Sequence, residues 1–409
     1  MKVLIWSQYF WPENFLINKL AVDLNAQGME VTVVTGKPNY PDGQVYPGYA
    51  ASDIQREEYL GVEVIRIPLH PRGKGSSKGL LLNYLSFIFS GYFFAPFALR
   101  GRKFDAVFVY APSPLLQALP AIFVAWLKDA PMIIWVQDIW PEALQATGFV
   151  KNRWLLGLVE GVVRYIYRYS DSILIQSEAF RTPVERLVSH KGRIRFFPNS
   201  AGDLEEAVGR SEHPCQVTEE IQQHFSVVFA GNIGTAQSCE TIVAAAELLL
   251  EYSAIKFYLV GSGSRSDAVE LEVKSKNLTN VILTGRLAHE EMPAVYSAAS
   301  VLLVSLKDEP ALSATIPSKL QSYLSAGKPI VASLNGEAAR LVIDAQAGFA
   351  CPAENPDALA QAVRELYEMS PDERDRLGMN ARHYFKTHFH EAERVIELAD
   401  HLRSLVESQ

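Results

Sequence analysis

Ser318 and Lys319 open the segment PSKLQSYLSAGKP. Pro317 at its start, an apolar face of Leu320, Tyr323 and Leu324, and Gly327 at its end delimit a short helix. The N-terminus of a helix carries roughly half a positive charge, so a hydroxyl and an ammonium placed there suit an anion such as a diphosphate. The same two residues also read as an N-cap serine and a solvated lysine. Two glycine-bearing turns add to the anion reading. In FAGNIGTAQS, Gly231, Asn232 and Gly234 follow an apolar run and precede a helical pattern, and LVGSGSRSD repeats the arrangement with Gly261 and Gly263. Bare backbone N–H groups can approach a phosphate there, although a tight strand-to-helix turn needs the same glycines. Neither turn completes G-x-G-x-x-G, because Ser266 stands at the sixth position, which counts against a dinucleotide oxidoreductase. Asp138 follows the apolar run MIIWVQ, with Trp135 before it and Trp140 after. A partly buried carboxylate in that place can orient or deprotonate a hydroxyl. With Pro141 and Glu142 following, Asp138 also fits a helix cap.

These residues need strands to carry them. KVLIWS, EVTVVT, VEVIRI, DAVFVYA, MIIWVQ, DSILIQS and IRFFPNS alternate with helical patterns in the first half, and Gly28 closes the first helix. The alternation restarts with SVVFAG, IKFYLVG, NVILTG, SVLLVS, PIVAS and GFACP. Such alternation predicts parallel sheets with crossover helices, and the restart predicts two doubly wound α/β domains facing across a cleft. The expected boundaries are 1–199 for the first domain, 200–225 for a polar linker and 226–385 for the second domain. A C-terminal helix, 386–409, would pack back on the first domain. Ligands of such sheets bind at the carboxyl ends of strands, where the residues above fall.

Composition narrows the partners. At 409 residues, with 48% hydrophobic residues and a net charge of −8, the chain is globular and offers no basic field for nucleic acid. Its three cysteines, Cys215, Cys239 and Cys351, are far apart, which argues against a disulfide framework or structural zinc. The N-terminus MKVLIWSQYF reads as a first strand and not as a signal peptide, so a cytosolic chain is expected. His289, His383, His388, His390 and His401 lack ligand spacing and read as surface residues. From Gly79 to Leu99 the chain carries no charge, while Arg72, Lys74 and Lys78 precede that stretch and Arg100, Arg102 and Lys103 follow it. Cations on both sides give a spanning helix no preferred direction, so a segment lying on the membrane surface is expected, with core packing as its rival.

GNIGTAQS with TIVAAAELL, FYLVGSGS, NVILTGRLAHEEMPAVYSAASVLLVSL, PSKLQSYLSAGKPIVAS and AGFACPAENPDALAQAV resemble the nucleotide-sugar half of family 4 glycosyltransferases, which have the GT-B fold. YFWPE, with Glu13, and VQDIWPEAL, with Asp138 and Trp140, are similar to the bacterial O-antigen, capsule and colanic-acid subgroup that transfers fucose or N-acetylfucosamine. The resemblance implies a retaining transferase that moves a sugar from a UDP- or GDP-sugar to a polyprenyl-diphosphate-linked saccharide. It further implies action at the inner face of the plasma membrane. Gly231, Asn232, Gly234 and Ser318 would meet the donor phosphates, and Gly261, Gly263 and Arg286 the nucleotide. Glu309 or Asp308 would supply a carboxylate from the loop before Ser318, Ser322 would add a donor contact, and Lys319 would hold the leaving group. Asp138 would act on the acceptor, with Glu13 and Trp140 on the same side.

Two features depart from the family pattern. Ala314 and Ser322 stand where a pair of glutamates is usual, and Thr235 and Ala236 stand where a basic residue follows the phosphate loop. With no Asp-x-Asp motif for a metal, Lys319, the helix N-terminus and Arg286 or Arg265 are expected to balance the leaving diphosphate, and no cofactor or metal is expected. A nucleotide-sugar epimerase of the same fold, and a non-catalytic sugar-nucleotide-binding subunit, remain alternatives.

Overall fold

The computed structural model describes residues 1–73, 77–146, 152–204 and 216–408. It forms two compact units, Met1–Pro198 with Ala392–Gln409, and Asn199–Glu391. Lys74, Cys215 and residues 205–215 of the expected linker lie outside the described residues. Within the segment read as linker, Gln216–Gln222 is a helix packed on the second unit. The return to the first unit falls at Glu391, so the helix Pro371–His388 stays with the second unit and the tail that crosses back starts at Ala392.

The first unit is built on eight strands, β1 (Lys2–Trp6), β2 (Glu30–Thr35), β3 (Gln55–Tyr59), β4 (Val62–Arg66), β5 (Ala106–Ala111), β6 (Met132–Val136), β7 (Ser172–Ile175) and β8 (Ile194–Phe196). They lie in the order β3-β4-β2-β1-β5-β6-β7-β8. Among the described residues every pairing in this sheet is parallel except that of β3 with β4. The strand β3, QREEY, was not legible in the sequence, because an edge strand with one solvated face needs no apolar run. β5 and β6 are buried throughout, as strands covered on both faces must be. Helix α1 (Leu16–Ala26) and the C-terminal helix Glu391–Glu407 cover one face, joining Val3, Ile5 and Val33 in a common core through Leu20, Leu398 and Leu402. His401 of that C-terminal helix is buried, not a surface residue, and its Nε2 lies 2.8 Å from the Ser172 hydroxyl.

Helices α2 (Ser77–Ala98) and α3 (Ala118–Lys128) meet on the opposite face. There the Trp6 indole donates to the Gln117 carbonyl at 2.9 Å and its ring tilts against Phe87. Gly91 permits this approach, since a Cβ there would lie 2.6 Å from Pro120 and 2.9 Å from Trp6. α2 is long and apolar enough to cross a membrane, yet only 28% of its most apolar window is buried. Core packing therefore accounts for its inner face alone. The short α4 (Glu142–Ala146) and the amphipathic α5 (Arg153–Arg168) complete the layer before β7.

The second unit is a six-stranded parallel sheet of β9 (Phe225–Ala230), β10 (Ile255–Val260), β11 (Val281–Gly285), β12 (Val301–Ser305), β13 (Ile330–Ser333) and β14 (Gly348–Cys351). The order β11-β10-β9-β12-β13-β14 reverses direction between β9 and β12, and apolar clusters line both faces. A crevice forms where the crossovers on either side of such a reversal diverge.

Candidate active site

Gly231 leaves the end of β9 with φ +136, and Gly261 leaves the end of β10 with φ +141. The two turns touch. A Cβ at Gly261 would lie 1.9 Å from the Gly231 carbonyl oxygen, and one at Gly263 would lie 2.4 Å from the Ile233 carbonyl oxygen. Positive φ favours glycine at 231 and 261, and contact between the two loops requires it at 261 and 263. Gly231, Asn232, Gly261, Gly263 and Arg286 all line one cavity of about 740 Å³. Leu287, Met292 and Tyr296, which the sequence reading did not single out, form its apolar side.

The helix Ser318–Ala326 starts from the β12 side of the reversal. Pro317 occupies its N-cap and Ser318 is exposed in the first turn without capping it. Gly327, at φ +64, ends the helix. Tyr323, expected only as part of the apolar face, also fastens the helix to the sheet, because its hydroxyl accepts the Ala230 N–H at 3.0 Å. Lys319 is not a solvated lysine. Its ammonium lies 4.0 Å from the centroid of the Phe229 ring, with no hydrogen-bond partner among the described residues. A Cβ at Gly231 would sit 2.9 Å from that nitrogen. Burial pulls its pKa down to about 8. An unpaired, desolvated cation beside a bare glycine turn is a receptor for an anion.

The other donor-side candidates are more dispersed. Glu309 is exposed at the N-cap of the short helix Pro310–Ser313, and Ser322 is partly buried one turn after Ser318. Gly234, Glu309, Ser318, Lys319 and Ser322 do not line the cavity, although the Lys319 ammonium lies beside Gly231, which does. Asp308 accepts from Asn335 at 2.9 Å, and Arg265 pairs with Glu240 at 2.6 Å, so neither is a free contributor.

In the first unit Asp138 follows β6, and Ser113 follows β5 beside it. The Ser113 hydroxyl donates to Asp138 Oδ2 at 2.7 Å and accepts the Trp140 indole N–H at 3.2 Å. Asp138 is thus oriented by a side chain from the neighbouring strand end, a role for Ser113 that no sequence spacing signals. Trp140 is buried, and it serves the site through this hydroxyl. Glu13 is also buried. Its Oε1 accepts the amides of Asn39 and Tyr40 at 2.8 and 2.7 Å, and its Oε2 that of Phe10 at 3.4 Å. Desolvation raises its pKa against those amides. Glu13 therefore ties the loops after β1 and β2 together, with both carboxylate oxygens engaged by main-chain amides.

The comparisons with known proteins agree with both halves. The model described as Glycosyl transferase 4-like domain matches residues 16–200, and that described as Glycosyl transferases group 1 matches residues 224–369. Each half of the chain thus matches a glycosyltransferase domain, and the two doubly wound units are those of the GT-B fold. It is 28% identical over 343 residues to WcaI of Escherichia coli (strain K12), named as a colanic acid biosynthesis glycosyl transferase, covering 80% of this chain and 82% of that one. It is 25% identical over 311 residues to WbjE of Pseudomonas aeruginosa, named as a glycosyltransferase, covering 75% and 76%. Among solved structures, Anabaena Alr3699/HepE in complex with UDP shares the fold with a TM-score of 0.68 at 14% identity, over 99% of this chain and 100% of that one.

Proposed function

We propose that the chain is a retaining glycosyltransferase of bacterial surface polysaccharide synthesis. It moves a sugar of the fucose or N-acetylfucosamine type from a UDP- or GDP-sugar to a polyprenyl-diphosphate-linked saccharide. The reaction takes place at the cytoplasmic face of the membrane and without a metal. One observation carries the reading, namely the buried, unpartnered ammonium of Lys319 beside the Gly231 turn. The name of WcaI and the UDP bound by HepE support the polysaccharide and the nucleotide.

In this reading the bond between the anomeric carbon and the β-phosphate oxygen breaks, and the electron pair leaves with the diphosphate. Lys319 and the main-chain amides of the glycine turns stabilise that charge as it develops. An acceptor hydroxyl oxygen bonds to the anomeric carbon on the face from which the diphosphate departs, so the configuration is kept. Asp138, oriented by Ser113, holds that hydroxyl and takes its proton. The test incubates the protein with UDP- and GDP-sugars, with and without a polyprenyl-diphosphate saccharide, in chelator. Transfer only in the acceptor's presence, with the anomeric configuration kept, is expected. Sugar conversion without acceptor would make the chain an epimerase, and binding without turnover a non-catalytic subunit.

A further inference from the structure

The first unit exposes an apolar surface that its own fold does not use. On α2, Leu81, Leu85, Phe89, Phe93 and Phe97 recur every four residues and are all exposed, Phe93 by 73%. On α3, Trp126 is 73% exposed. On α5, Trp154 is 72% exposed, and Leu155, Leu158 and Tyr165 continue the stripe at helical spacing. The stripes adjoin. Tyr92 of α2 tilts against Phe123 of α3 at 5.7 Å, and a cavity of about 560 Å³ between α3 and α5 is lined by Tyr92, Phe123, Trp126 and Tyr165. Arg168 and Arg193 stand in the same lining. Helical geometry sets Arg153, Arg164 and Arg168 along one edge of the α5 stripe, where Arg164 pairs with Glu160 at 2.8 Å and Arg153 and Arg168 carry the charge. Beyond the end of α2, Arg100 and Lys103 are exposed, whereas Arg102 is spent on a bidentate pair with Glu63.

We infer that α2, α3 and α5 together form the face by which this chain lies on an anionic lipid bilayer, with α5 in the plane of the interface and the groove between α3 and α5 admitting a lipid chain. Charge decides the occupant. A second protein copy would bring the same arginines against themselves, whereas anionic headgroups meet an edge of cations over an apolar, tryptophan-bearing stripe. The inference rests on the membrane-surface part of the proposed function and deepens it. It moves the anchor from α2 alone to a three-helix surface in which α5 is indispensable. α2 cannot leave the fold to span a bilayer while its inner face holds Asn83, which accepts from Gln8 Nε2 at 2.7 Å and donates to the His70 carbonyl at 2.6 Å.

The experiment is flotation of the full chain with vesicles of phosphatidylglycerol or of phosphatidylcholine, alongside quenching of tryptophan fluorescence by brominated lipid. Binding to the anionic vesicles with quenching is expected. Arg153→Gln with Arg168→Gln should lower partition by roughly tenfold or more, at about fivefold per cation. Trp154→Glu with Leu158→Glu should abolish it. Far-ultraviolet circular dichroism and the unfolding midpoint of the full chain, each matching wild type, confirm that the first unit of each variant is folded. If the α5 variants float as wild type while Phe89→Glu with Phe93→Glu does not, the three-helix surface is overturned and the peripheral reading stands. A wild-type chain indifferent to both vesicles overturns the two together. A dimer dissolved by the α5 variants, with no vesicle binding, overturns them in favour of a second copy.

Discussion

Lys319 carries a charge that its surroundings resist. With its pKa lowered to about 8 by burial, the empty site holds an ammonium that is half lost near that pH. A diphosphate restores the charge, so binding of UDP or GDP should take up a proton around pH 8–9 and weaken as pH rises from about 8. Titration calorimetry in buffers of different ionisation enthalpy reads this directly, and an absence of proton uptake would separate Lys319 from the phosphates. Lys319→Ala should cut turnover roughly a hundredfold or more with the fold intact. For Asp138 the expectation divides differently. Asp138→Asn keeps shape and the Ser113 contact, so transfer should fall by roughly a hundredfold while nucleotide affinity stays within about twofold. A loss of nucleotide affinity would remove it from the acceptor side. Both residues were legible by type and position after a strand. What the sequence did not reveal was which of their neighbours commits them. Lys319 is buried over Phe229 because the helix is pinned through Tyr323, and Asp138 is held by Ser113, a residue brought beside it only by the pairing of β5 with β6.

At the level of elements, the strand-to-helix turns carry the donor half. Gly261→Ala places a methyl where the Gly231 carbonyl already stands, at a φ of +141 that alanine rarely adopts. It should destabilise the second unit by about 2 kcal/mol or more and abolish nucleotide binding, measured by denaturant unfolding and calorimetry. A tolerant Gly261→Ala would show that the two loops do not need their present contact. Six of six expected strands in this unit were readable because buried parallel strands are continuous apolar runs. In the first unit β3 escaped notice for the opposite reason, being charged and at an edge. α5 escaped because a helix with an apolar stripe looks the same in sequence whether that stripe faces a core or faces outward.

For the molecule as a whole, the C-terminal helix Glu391–Glu407 sets an acid limit. Burial, aided by Arg195, pulls His401 down to about 4, while the unfolded side chain titrates near 6.5. The unfolded state therefore binds the extra proton between those values, and stability falls as pH drops from about 6.5 toward 4. A decline in the unfolding midpoint of roughly 2–4 °C across that window is expected by calorimetry, flattened in His401→Gln. Equal pH slopes in the two proteins would exclude His401 as the source. The same helix has a consequence for how the chain is assembled. Because both ends of the polypeptide belong to the first unit, the second is an insertion, entered and left at neighbouring points where Ala201 bridges His390. Arg382 clasps Asp203 just inside, so the insertion closes on itself. Residues 199–391 should therefore be excisable as a free-standing donor module that binds a nucleoside diphosphate, whereas a cut at residue 198 leaves the remaining half without the helix that seals one face of its sheet. Donor modules from relatives could be exchanged through that single pair of junctions, making donor choice a cassette within an otherwise unchanged chain.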